Sequence, residues 1–204
     1  MGSSFPLGER LWHKNGVMAP FKPRRAPPPL NEATLQELAL RYVGKYATTR
    51  AKLRSYLARK LRERGWDGGG EPGLEALADR FAELGYIDDS AYALGQSRSL
   101  AARGYGKRRL DEKLRVAGVE EEDGTAARDF ARQEQVAAAL RFAERRRIGP
   151  FALTLPDRPQ REKWMAAMIR AGHDFSLSQA IARMDPRQVI DPDELCERAR
   201  LTDD

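Results

Sequence analysis

Residues 81–119 read FAELGYIDDSAYALGQSRSLAARGYGKRRLDEKLRVAGV. Gly85 closes one helix, Tyr86 and Ile87 turn the chain, and Asp88/Asp89 open the next. Asp is a preferred N-cap, and a second carboxylate in the first turn faces the positive end of the helix. That helix carries Tyr92, Ala93 and Leu100. Gly104-Tyr105-Gly106 interrupts the pattern, and a basic helix runs from Lys107, with Leu110 and Leu114 one turn apart, to a stop at Gly118. Two short helices joined by a glycine-flanked turn leave apolar stripes that a third helix must cover. The spacing therefore predicts a three-helix unit.

The same arrangement recurs on both sides. Leu57, Leu61 and Gly65 of LRSYLARKLRERG align with Leu110, Leu114 and Gly118 at an offset of 53, and with Trp164, Met168 and Gly172 of QREKWMAAMIRAG after a further 54. Leu57, Leu110 and Trp164 are the expected core anchors. A helical segment follows each glycine, at 74–84, about 123–147 and 176–184. Upstream, Leu35, Leu38, Ala39, Tyr42 and Val43 form the apolar stripe of a helix opening at Asn31 or Thr34. Regular spacing and an absence of β-branched runs predict an all-α chain of tandem three-helix repeats in an elongated line.

The divisions that follow are a Pro/Gly-rich extension over 1–30, repeat one over 31–86, repeat two over 87–147, repeat three with its preceding loop over 148–186, and an acidic tail over 187–204. Pro27-Pro28-Pro29 favours extended polyproline backbone, so the extension reads as a flexible, disordered tail, with a basic arm contacting DNA or protein through KPRR as the alternative. From Asp185 onward seven acidic residues face three basic ones, and Asp191-Pro192-Asp193-Glu194 reads as the start of one last short helix.

Charge points to an anionic partner. The 204 residues carry a formal net charge of +6. Residues 1–66 hold fourteen basic and four acidic side chains, so the positive charge gathers toward the front. Arg54, Arg59, Lys60, Arg62 and Arg64 crowd the second helix of unit one. Arg98, Arg103, Lys107, Arg108, Arg109, Lys113 and Arg115 crowd the corresponding part of unit two, opposed only by Asp111 and Glu112. Such a row of cations suits a DNA backbone or a nucleoprotein filament. Tyr105 is a candidate aromatic contact in the turn, with packing between units the plainer alternative.

Catalytic patterns are scarce. Cys196 is the sole cysteine, which excludes an intrachain disulfide and a cysteine metal cluster and suits a reducing cytoplasm. No apolar run has the length of a bilayer span, and the start lacks the order of a secretory signal. His13 lies in the extension, and His173 follows a helix-ending glycine, where a capping or surface role is expected. Asp88/Asp89 read as a cap and a first-turn charge in preference to a magnesium site. GYGKRR lacks the full phosphate-loop pattern and the strand that precedes it. The expectation is a protein without enzymatic activity, cofactor or metal.

ALRYVGKYATTRAKLRSYLARKLRERG, FAELGYIDDSAYA and RGYGKRRLDEKLRVAGV together resemble the bacterial RecX family over about residues 34–186. Tyr86, Asp88, Asp89, Tyr92 and Ala93 match the family's junction motif, and Gly104, Gly106, Arg109, Leu110, Leu114 and Gly118 its second-repeat motif. The resemblance implies tandem three-helix repeats that bind the RecA recombinase, lie along its filament on single-stranded DNA, and inhibit its recombinase and co-protease activities. It implies a monomer acting in the cytoplasm in DNA repair, recombination and the SOS response. Direct binding to DNA by the same basic helices is the alternative, and a weak DNA contact fits either reading. The chain departs from the family in its proline-rich extension, its KYATT turn, the long loop before Trp164 and its acidic end.

Overall fold

A computed structural model describes residues 27–200; the basic arm at 22–25 and the last residues of the acidic tail lie outside them. Ten α-helices follow in order: α1 (Glu32–Val43), α2 (Arg50–Arg64), α3 (Leu74–Glu83), α4 (Asp89–Ala102), α5 (Lys107–Ala117), α6 (Thr125–Gln133), α7 (Gln135–Arg146), α8 (Arg158–Arg170), α9 (Phe175–Arg183) and α10 (Pro192–Arg200). Among the described residues the fold is all-α. The one extended pairing is an isolated bridge between Leu30 and Trp66.

Local chemistry accounts for most helix starts. Asn31 and Thr34 form a reciprocal capping box on α1. Thr49, Asp88 and Asp157 each accept a backbone N–H at the start of α2, α4 and α8. The segment read as one helix over 123–147 is two. Glu134 has φ −87° and ψ 2°, off the helical values, and the chain breaks there between α6 and α7.

Three apolar clusters follow chain order. Leu35, Leu53, Leu57 and Phe81 centre the first, from α1–α3. Leu100, Leu110, Leu114 and Ala127 centre the second, from α4–α6. The third holds Phe142 and Ala143 of α7, Met168 of α8, Leu177 and Ile181 of α9, and Leu195 of α10. Thus α7 packs with the helices after it, and α10 folds back over α7 and α9 through Leu195. Of the expected anchors, Leu57 and Leu110 are buried. Trp164 is only partly so, and Met168 takes the fully buried place. Trp164 instead lines an open groove with Leu153 and Leu155 of the loop before α8.

The units meet through one geometry used twice. The start of each unit's second helix docks on the glycine-terminated end of the next unit's second helix. At the first junction the Thr49 hydroxyl donates to the Ala117 carbonyl at 2.6 Å, and a Cβ on Gly118 would lie 2.4 Å from that of Ala51. At the second, the Gly106 amide donates to the Ala171 carbonyl at 3.0 Å and the Arg108 amide to Gly172 at 3.2 Å. A Cβ on Gly106 would sit 2.2 Å from the Gly172 carbonyl oxygen, closer than any real contact, so this seam needs glycine. The recurrence of glycines at offsets of 53 and 54 is therefore a recurrence of docking seams. The equivalent Gly65 meets no other unit among the described residues; its carbonyl accepts from the Leu30 amide at 3.0 Å, and Leu30 is fully buried there.

Candidate functional site

The acidic pair that opens α4 lies in the first seam. Asp88 caps its own helix, accepting from the Ala91 amide at 2.7 Å. Asp89 turns the other way. Its two oxygens accept from the Arg50 backbone N–H at 3.0 Å and from Arg50 Nε at 3.1 Å, and its side chain is nearly sealed from solvent. One carboxylate thus sits between the N-termini of α4 and α2, where both helix dipoles favour negative charge. Arg50 also reaches Asp123 at 2.8 Å. The hydrogen bond with Asp89 raises the guanidinium pKa and keeps it charged. Lys52 donates to the Tyr92 hydroxyl and lies over that ring, 4.5 Å from its centroid. Tyr86 is exposed and tilts against Phe81.

His173 belongs to the second seam. It was expected at a cap or on the surface, yet it is buried, with Nε2 3.1 Å from the Gly104 carbonyl and its ring against Phe142. A carbonyl can only accept, so Nε2 carries the proton. Burial depresses the imidazole to a pKa of about 4, and the ring is neutral near pH 7. Its signal in sequence is slight, because the groups that bury it come from α7 and the Gly104 turn. Among the described residues no group of three or more His, Cys, Asp or Glu is arranged to hold a metal ion. No helix among them is long and apolar enough to cross a membrane.

The candidate cations do not form one surface. Arg103, Arg109 and Lys113 come together around Tyr105 and Val116 in a groove of about 340 Å³. Arg103 lies over the Tyr105 ring, 5.6 Å from its centroid, and Arg109 pairs with Glu112 at 3.3 Å. Lys107 is on another face of α5, pairing with Asp111 at 3.4 Å, and Arg128 of α6 meets the same carboxylate at 3.2 Å. Arg108 is exposed. Arg98 lies over Phe130 of α6. In unit one, Arg54 pairs with Glu75 of α3, Arg64 donates to the Pro28 carbonyl at 2.9 Å, Arg62 is exposed, and Arg59 lies over Tyr56.

Tyr105 is half-buried and touches both the second and the third apolar cluster. On its other side lies a second groove, of about 500 Å³, with Arg145, Arg146 and Arg170 in its wall. Those three arginines were not singled out in the sequence, where they look like solvating charge on two separate helices. Arg145 is held there by donating to the Arg103 carbonyl at 2.7 Å. One aromatic ring therefore stands between two cationic grooves, across the seam that the glycines close.

No protein-family model matches the chain. It is 31% identical to the regulatory protein RecX of Myxococcus xanthus, across 85% of this chain and 95% of that one. The chain belongs to the RecX family. RecX proteins of Agrobacterium fabrum, 31% identical over 70% of this chain and 78% of that one, and of Thermobifida fusca, 30% identical over 74% and 78%, agree. The fold is similar to the crystal structure of a regulatory protein RecX, with TM-score 0.58 and 23% identity over 73% of this chain and 71% of that one. It is also similar to RecX from Lactobacillus salivarius, with TM-score 0.54 and 17% identity over 73% and 92%. The fold is thus shared with these two RecX structures at low sequence identity.

Proposed function

We propose that this protein is a cytoplasmic regulator that binds a RecA-type recombinase filament on single-stranded DNA and inhibits its recombinase and co-protease activities, without chemistry of its own. Membership of the RecX family supports the regulatory role. The observation that carries the surface is the pair of cationic grooves flanking Tyr105 at the seam between units two and three. Three linked units spread modest contacts over a long partner, and linkage turns later contacts into intramolecular ones. A chain lying along the filament would obstruct the approach of a second DNA and of co-protease substrates.

The test is a side-by-side titration against preformed recombinase filament and bare single-stranded DNA, over a salt series, with strand exchange followed in parallel. The proposal expects filament binding that persists at physiological salt, weak binding to bare DNA there, and inhibition that tracks filament occupancy. Equal affinity for bare DNA and filament would replace it with a direct DNA-binding role.

A further inference from the structure

A different surface, in unit one, joins aromatic rings to cations. Tyr42 of α1 and Tyr56 of α2 stack with centroids 4.3 Å apart and planes 13° from parallel. Both rings pack on the first apolar cluster, which holds the stack rigid. Tyr46, in the turn after α1, tilts against Tyr42 at 5.3 Å and is 50% exposed. Core packing explains the inner pair of rings. It does not explain the outer ring, which keeps half its surface in water at the mouth of a groove of about 520 Å³.

Cations ring this opening. Arg41 and Lys45 come from the end of α1 and the turn, Arg59 and Lys60 from α2, and among the described residues no carboxylate lines the groove. Arg41 meets Glu37 at 3.2 Å with both side chains largely in solvent, and Arg59 and Lys60 share Glu63. Exposed pairs of this kind exchange readily for another anion. Among the described residues Lys45 makes no ion pair, and it lies 5.4 Å from the centre of the Tyr46 ring.

We infer that this groove is a site for single-stranded nucleic acid, with a base stacking on Tyr46 and the backbone phosphates set against Lys45, Arg41 and Lys60. An unpaired strand offers both chemistries the groove displays, a flat π-face and a phosphate every nucleotide, and such stacking tolerates any base. An acidic peptide would use the cations but leave the ring idle. A duplex hides its bases and would do the same. The site is separate from the Tyr105 grooves and does not depend on the recombinase reading.

The experiment is fluorescence anisotropy of a short labelled oligothymidylate titrated with the full chain, without recombinase, over a salt series. Tyr46→Ala, Tyr46→Phe and Lys45→Glu are each checked for an unchanged urea midpoint. Tyr46→Ala should weaken binding by about tenfold, the loss expected of one stacked base. Tyr46→Phe should keep it, because the ring remains. Lys45→Glu should weaken it and lower the log–log salt slope by about 1. Polyglutamate as competitor should displace the strand poorly. Undetectable binding of the wild-type chain, unchanged affinity in folded Tyr46→Ala, equal losses in Tyr46→Ala and Tyr46→Phe, or efficient displacement by polyglutamate would each overturn the proposal. The last would identify an anion site for acidic proteins.

Discussion

Asp89 holds the backbone N–H and the guanidinium of Arg50 with its two oxygens, at 3.0 and 3.1 Å, so a residue of α4 caps a helix that begins 39 positions earlier. Removing either partner strands the other. Arg50→Ala leaves a carboxylate sealed from water with its backbone contact alone, and should destabilise the fold by about 3 kcal/mol. Asp89→Asn keeps one acceptor for the Arg50 N–H but loses the charge, and should cost less. Urea unfolding of both variants measures the difference; a surface pair would give less than about 1 kcal/mol.

His173 predicts a pH dependence. Its folded pKa, about 4, lies below the ordinary value of 6.5, so between these values the unfolded chain binds the proton and the native one does not. Stability should therefore be intact above pH 6.5 and fall as pH drops toward 4, by about 3 kcal/mol from this residue. Urea midpoints from pH 7 to 4 for wild type and His173→Gln test it. The variant should be less stable at pH 7, and its midpoint should fall less on acidification.

The glycines of the chain should respond oppositely to alanine. At Gly106 the new methyl meets the Gly172 backbone, so Gly106→Ala must open the seam between units two and three. At Gly95, an exposed position inside α4, it meets nothing. Gly95→Ala should stabilise by about 0.5–1 kcal/mol through helix propensity. Thermal melts of the two variants should shift in opposite directions.

Leu110 is buried in the centre of the second cluster. Leu110→Ala should cost roughly 2–5 kcal/mol, according to how far the cluster collapses. An unchanged urea midpoint would show that unit two does not rest on this side chain.

Two lysines of α5 separate groove from helix. Lys113 lines the groove beside Tyr105, whereas Lys107 points to Asp111 and the Arg128 network. Combining Arg103→Glu with Lys113→Glu should sharply reduce filament binding and inhibition, more so at low salt where charges are less screened. Lys107→Glu should leave both near wild type. A double variant that folds and still inhibits fully would remove this groove from the interface and move attention to Arg59 and Arg62 of unit one.

What the sequence determined by itself was local or periodic. The caps at Asn31 and Asp88 need only neighbours three residues away, and the leucines of α2 and α5 repeat with the helix period, so an all-α chain of recurring units was legible. Tertiary structure alone decided what depends on distant partners. The carboxylate of Asp89, which reads as a first-turn charge, is a buried link to Arg50. His173, which reads as a cap or a surface residue, is sealed by Phe142 and Gly104. Trp164 recurs at the anchor spacing but lines an open groove with Leu153 and Leu155, while Met168 takes the buried place. The basic residues show the same division most plainly. Their number is a property of the composition, but whether a cation joins a groove, caps a carbonyl or neutralises a carboxylate depends on which helix face meets which neighbour. Arg145 reaches the Arg103 carbonyl across 42 positions of sequence, whereas Lys107 and Lys113, six apart on one helix, serve different faces.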